Sequence, residues 1–243
     1  MKRMHYFIMV GLLVSAMTLL PGVSHAAMWI GGELGGNFFG NSDVNLSLNG
    51  STETFKNASI EPSVIGGVTL GYDFVNEGFG GYNWPHWMKY FSFAVDFTYN
   101  RMDRRQQYLS VTPASLGDQF GKDTLAHIDG SMAVLTFLFM GHYGFLPDSE
   151  MPTGRLHPYL GIGPGIVFSS KSVGGFGSAS SADIALVVET GLRFFALKNV
   201  SLDAAFRYRW FNPRYEFTSA GLPVDVDFDA KSYSVLARAN YHF

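Results

Sequence analysis

Arginines and carboxylates recur at alternate positions of otherwise apolar segments, a spacing that sets up ion pairing inside a shared interior. They are Arg193, Arg207, Arg209 and Arg238, with Glu33, Asp96, Asp183, Glu189 and Asp203. Four positive charges against five negative ones nearly neutralise one another. Other groupings have residue types that carry chemistry but lack the pattern. Asp225, Asp227 and Asp229 alternate as calcium ligands do. An EF-hand loop needs Gly at its sixth position and a bidentate Glu at its twelfth. Counted from Asp225 those positions are Ala230 and Leu236, so the trio reads as the solvated face of a strand. Arg101, Arg104 and Arg105 cluster where charge-assisted bonds to lipid phosphates are one use and the solvated base of a loop is the other. His127 leads into Ile128-Asp129 and His142 into Tyr143-Gly144, and both read as structural or surface histidines. There is no cysteine, which excludes disulfides, thiolate catalysis, cysteine-ligated metals and a lipoprotein's acylated cysteine. No catalytic, cofactor-binding or metal-binding residue is assigned, and no cofactor is expected.

The elements that position these charges follow from composition. The 243 residues are 16 % aromatic, include 28 glycines and are only 15 % charged, where an average soluble domain carries about 25 % charge. Mean hydropathy is +0.09, too low for a bundle of membrane helices. The formal charge of −3 gives no basic excess, so no nucleic-acid partner is expected. Lys2 and Arg3 precede an uncharged stretch from Tyr6 to Leu20, then Pro21-Gly22 and Ser24-His25-Ala26. That layout predicts a cleavable signal peptide over 1–26 and a mature domain over 27–243. An uncleaved anchor would need about 20 apolar residues, more than are present.

The mature chain alternates with period two, the mark of strands with unlike faces. From Val200 to Trp210, Val200, Leu202, Ala204, Phe206, Tyr208 and Trp210 oppose Ser201, Asp203, Ala205, Arg207 and Arg209. Phe91–Asn100, Tyr233–Phe243 and Ala182–Ala196 alternate in the same way, and Met28–Phe39, Pro62–Phe74, Ile128–Tyr143 and Pro158–Phe168 do so more weakly. In Ile128–Tyr143 both faces are apolar, which implies either a bulge or a reversed assignment of faces. Eight strands form an even antiparallel set that can close and leave no edge.

Alternation alone does not say which solvent lies outside. A soluble barrel puts its apolar face inward, whereas a membrane barrel turns that face to lipid. Spanning strands need about 9 to 11 residues and soluble strands average five or six, and these are of the longer sort. Tyr99, Phe168, Tyr208 and Trp210 are expected at one rim, and Tyr72, Phe74, Tyr90 and Tyr241 at the other, as interfacial girdles. Lys198-Asn199 makes one short connection, while 40–61, 101–127, 169–181 and 212–231 are long and polar. Val75–Trp87 is too long for a tight turn; its Tyr82, Trp84 and Trp87 read equally as interfacial anchors or as a packed loop. The fold class is therefore all-β, an eight-stranded antiparallel transmembrane β-barrel with meander order. An interior just wide enough for side chains is expected to be plugged by its ion pairs.

Pro158-Tyr159-Leu160-Gly161-Ile162-Gly163, a strand, the Lys-Asn turn and a further strand of alternating aromatics resemble the OmpA-like and opacity-protein superfamily of small bacterial outer-membrane barrels. The closing Tyr241-His242-Phe243 is similar to the terminal signature that the barrel-assembly machinery reads in such proteins. The resemblance spans the mature chain as a pattern and implies an outer-membrane location, periplasmic termini and extracellular loops. It also implies lipid and lipopolysaccharide as neighbours, and with no periplasmic domain following, no peptidoglycan-binding role. Pro164 departs from the pattern, because it removes a ladder donor and belongs at a bulge. Lipid A deacylases of similar size show a His-x-Ser-Asn signature, and no histidine here is followed that way. The expected function is a non-enzymatic scaffold acting through its loops in envelope integrity, adhesion or stress resistance, with an unknown ligand. A narrow conduit, given room by Gly161, Gly163 and Gly165, is the alternative, and a lipid A-modifying enzyme comes last.

Overall fold

The computed structural model describes residues 28–40, 42–48, 51–58, 61–74, 83–103, 107–108, 125–126, 128–173, 177–219 and 222–243. The strands, in chain order, are β1 (Met28–Phe39), β2 (Ser42–Leu48), β3 (Ser51–Ala58), β4 (Ser63–Asp73), β5 (Phe91–Asp103), β6 (Gln107–Tyr108), β7 (Leu125–Ala126), β8 (Ile128–His142), β9 (Leu156–Val173), β10 (Gly177–Leu197), β11 (Val200–Phe211), β12 (Arg214–Ser219), β13 (Leu222–Phe228) and β14 (Ala230–His242). Eight of them, β1, β4, β5, β8, β9, β10, β11 and β14, form a closed antiparallel barrel in meander order. The first and last strands seal it, with Trp29 opposite His242 and Glu33 opposite Arg238.

Each spanning strand sorts its side chains by face. On β11 Ser201, Asp203, Arg207 and Arg209 are buried, while Leu202, Phe206 and Trp210 stand exposed on the outside. The aromatics expected at the two rims do lie on the outer surface or half-buried: Tyr99, Phe168 and Trp210 towards one end, Tyr90 and Tyr241 towards the other. In a soluble protein those exposed rings would be a liability, and against lipid they are the solvated face. The predicted signal segment lies outside the described residues.

Three expectations need correction. Of the stretches read as long polar loops, 40–61, 169–181 and 212–231 are largely strands among the described residues, and most of 101–127 lies outside those residues. β2 pairs with β3, β12 with β13, and β13 with β2, giving a four-stranded sheet beyond the barrel in the order β12-β13-β2-β3. β9 and β10 likewise stay paired out to Val173 and Gly177. Backbone donors and acceptors that leave the barrel together keep their partners by staying in sheet. Second, Pro164 makes no bulge. It stays in register opposite Leu186, and the cost appears on its other side, where the β8 ladder skips Phe137 and Leu138 without shifting. Third, β8 has neither a bulge nor reversed faces: its inward residues Met132, Val134, Leu138 and Met140 are themselves apolar and buried.

The connection before β5 includes a short 3-10 helix, His86–Tyr90. Trp84 packs edge-on against Phe74 at 4.9 Å, and Trp87 meets Phe91 at 5.7 Å while staying 58 % exposed. Both tryptophans thus pack on neighbouring rings, and Trp87 keeps much of its surface exposed. Tyr82 lies outside the described residues.

Candidate functional site

The barrel axis is occupied by charge. Arg207 on β11 is fully buried and donates to three carboxylates on three other strands: Glu189 Oε2 at 2.6 Å, Asp96 Oδ1 at 2.7 Å and Glu33 Oε1 at 3.3 Å. Arg238 on β14 donates to Glu33 at 2.6 Å and to Glu189 at 3.2 Å, and stands 3.5 Å from Asp203. Tyr159 donates its hydroxyl to Glu189 and Thr69 donates to Asp96. Alternation forces these side chains inward, and closure brings β1, β5, β10, β11 and β14 within reach of one another. A buried charge network of this kind is tolerable when every member has partners. It ties opposite walls together across the lumen.

Towards the end bearing the four-stranded sheet the filling turns to hydroxyls and amides. Arg209 donates to Thr98 Oγ1 at 3.1 Å and Ser234 Oγ at 3.4 Å, and Ser234 donates to Asn37 at 2.7 Å. Beside the ion pairs, the inward glycines of β9 face the apolar side chains of β8 and β10. A Cβ added at Gly161 would lie 2.8 Å from Met140 Cγ, and one at Gly165 would lie 3.1 Å from Val187 Cγ2. The room that Gly161, Gly163 and Gly165 were expected to leave for a conduit is therefore taken by neighbouring side chains or, at Gly163, by the Phe137 carbonyl.

At the end bearing the termini the lumen opens into a vestibule of about 960 Å³. Its floor is Arg193, which donates to Asp203 at 3.1 Å and stacks 4.4 Å over the buried Trp29 ring. Trp29 Nε1 donates to Asp73 at 3.2 Å. His142, His157 and His242 line the wall. The turn between β8 and β9 is braced by Arg155, which donates to Asp148, to Glu150 at 2.7 Å and to the Phe195 carbonyl at 3.3 Å. The Arg155 bond foremost, and the Met151 and Glu150 amides that donate to the same carboxylate at 2.7 and 2.9 Å, hold Asp148 below the ordinary carboxylate range.

Of the nine charges singled out from the sequence, Glu33, Asp96, Glu189, Asp203, Arg193, Arg207 and Arg238 do pair in the interior. Arg209 is held by hydroxyls instead. Asp183 stays away and accepts from Ser181 at 2.6 Å. It sits six residues along β10 from Glu189, about 20 Å at strand rise. Arg101 is exposed, whereas Arg104, Arg105 and His127 lie outside the described residues. Asp225 and Asp227 fall on β13 of the outlying sheet, with Asp229 exposed just after it. Sequence reasoning missed Asp73, Tyr159, His157 and His242. Tyr159 shares the inward parity of Gly161 and Gly163, a signal that was present; His157 precedes the predicted strand start and gave none.

No protein-family model matches the chain, and no curated protein is significantly similar to it. Among solved structures, the outer membrane protein OprG from Pseudomonas aeruginosa is similar over 90 % of this chain and 97 % of its own, at 14 % identity and a TM-score of 0.58. Neisserial surface protein A is similar over 91 % of this chain and 99 % of its own, at 17 % identity and a TM-score of 0.46. The attachment invasion locus protein Ail of Yersinia pestis is similar over 86 % and 99 %, at 14 % identity and a TM-score of 0.37. At such identities the likeness is one of fold, carried by OprG: the chain has the fold of a small outer-membrane β-barrel.

Proposed function

We propose that this outer-membrane barrel is a non-enzymatic scaffold whose sealed, cross-tied wall holds a surface platform built from its connecting segments. The observation that carries the reading is Arg207, fully buried and bonded to Glu33, Asp96 and Glu189 on three other strands. A lumen tied across its middle is suited to rigidity rather than to passage. The same reading places the termini in the periplasm and the β12-β13-β2-β3 sheet outside the cell, among lipopolysaccharide. Binding surfaces commonly sit on connections held by a rigid scaffold, and here the first and last long connections are joined through β2 and β13.

A deletion strain tests this. Complementation with a variant in which 42–58 and 214–228 are replaced by short turns is expected to restore barrel in the outer membrane. The strain's defect in adhesion or detergent resistance should persist. Rescue equal to the full-length protein would overturn the platform reading and make the barrel wall the acting part.

The vestibule favours a second reading, a narrow conduit for small solutes. It leads inward from the terminus end and stops at the Arg193–Asp203 pair. That pair and the network behind it would have to part for anything to pass.

A further inference from the structure

We infer that His142 and His157 form an open binding site for a divalent transition metal of the Cu²⁺ and Zn²⁺ class, at the mouth of the vestibule. The inference stands apart from the platform reading, since it concerns the opposite end of the barrel. Both residues point inward from neighbouring strands. His142 pairs with Tyr159, so His157 lies diagonally across the ladder. Their Nδ1 atoms face each other at 3.5 Å. Two nitrogens bound tetrahedrally to one ion at about 2.0–2.1 Å stand about 3.3–3.4 Å apart, so the spacing already suits chelation.

Protonation points the same way. His157 Nε2 lies 2.9 Å from the Gly154 carbonyl oxygen. A carbonyl only accepts, so Nε2 carries the proton and the His157 Nδ1 lone pair faces His142. Fixing one ring nitrogen on a carbonyl so that the other can bind metal is the usual support for a histidine ligand. The support is built into the turn: Gly154 has φ +104°, and a Cβ there would lie 2.5 Å from the Phe145 carbonyl oxygen. His142 Nε2 is buried with no hydrogen-bond partner among the described residues, so no acceptor there fixes the tautomer, and an ion bound at Nδ1 would move the His142 proton to Nε2. A direct hydrogen bond between the two Nδ1 atoms is the competing account, and 3.5 Å is long for it.

The site is open. Among the described residues no group of three His, Asp or Glu side chains is placed to hold an ion, so water or a small ligand in the vestibule completes the coordination. His242 is no third ligand. The Phe195 ring packs against both rings, with centroids 5.2 Å from His157 and 4.8 Å from His242, and His242 Nε2 is engaged 3.0 Å from Ser201 Oγ. Beside the pair, Asp73 and Arg193 approach within 3.9 Å of each other, and Lys89 and Lys198 also line the vestibule. Paired imidazoles select copper, zinc or nickel over magnesium or calcium.

The test uses untagged protein purified from outer membranes and stripped of metal with a chelator. Titration with CuCl₂ and with ZnCl₂, followed calorimetrically, is expected to show one ion per chain, with a two-nitrogen signature in the Cu²⁺ spin-resonance spectrum. His142→Gln and His157→Gln should each weaken binding at least about tenfold, and His242→Gln should leave it unchanged. MgCl₂ should give no binding. Should the glutamine variants fail to fold, diethylpyrocarbonate labelling of the wild-type protein decides instead: Cu²⁺ is expected to protect His142 and His157 and to leave His242 reactive. Equal Cu²⁺ affinity in wild type and both glutamine variants would overturn the site, as would labelling of His142 and His157 that Cu²⁺ does not slow.

Discussion

Arg207→Ala is expected to lower the unfolding free energy of the barrel by about 3–5 kcal/mol, the penalty for stranding buried charge when one partner of a dry ion pair is removed. The physical reason is the number of carboxylates left behind. Glu33, Asp96 and Glu189 all lose a donor at once, and all are buried with the arginine. Arg238 still reaches Glu33 and Glu189, but its nearest Asp96 oxygen is 3.9 Å away, so it cannot replace all three bonds. Denaturant unfolding in lipid vesicles, followed by tryptophan fluorescence, measures the loss. Replacing Arg207 and Glu189 together by methionines should cost less than Arg207→Ala, since apolar residues of similar volume often substitute for a buried pair at little cost. A loss under about 1 kcal/mol for Arg207→Ala would place that side chain in water and remove the network from the account.

The neighbouring residue makes the opposite test. Phe206→Arg adds the side chain that position 207 needs, but on the outer face, where Phe206 is 44 % exposed. An arginine on the lipid side near the midplane costs about 2–4 kcal/mol, falling towards zero near the interfaces. The same vesicle unfolding experiment should therefore show a marked loss at 206. Arginine substituted at Trp210, towards the rim, should show a smaller one. If Phe206→Arg were neutral in vesicles, the outer face would not be meeting hydrocarbon, and the inside-out sorting of β11 would need another cause.

These paired effects explain why most of the barrel was legible in the sequence. Period two on β11, β5 and β14 is enforced twice, by lipid outside and by ion pairs inside, so both faces leave a trace. β1 was located to its ends for that reason: Glu33 and Asn37 are inward polar residues set among Ile30, Leu34 and Phe38. The trace fails where one face loses its contrast. On β8 the inward residues are apolar because the glycines of β9 leave a hollow that Val134, Leu138 and Met140 fill, and periodicity cannot distinguish that face from the lipid face. Pro164 misled because loss of a donor was equated with loss of register, whereas the continuous pairing of β9 with β10 keeps the register in place.

Beyond the membrane, neither solvent sorts the side chains. The paired extensions of β9 and β10 and the β2–β3 and β12–β13 hairpins consequently read as polar loops, although their backbones stay in sheet. The charged interior was legible residue by residue except at its margins. Asp183 has the right parity but the wrong height, and alternation reports parity alone. The vestibule depends on a turn, from Tyr143 to Arg155, whose Gly154 sets the direction of the carbonyl that holds His157. No periodic signal passes through such a turn.

Single-channel recording on the purified protein in a planar bilayer tests the sealed lumen most directly. Correctly inserted barrels should give no discrete openings, because Arg207 and Arg238 bridge the walls across the axis. Stable, discrete openings absent from a denatured control would contradict a sealed lumen, and would make the vestibule the entrance of a conduit.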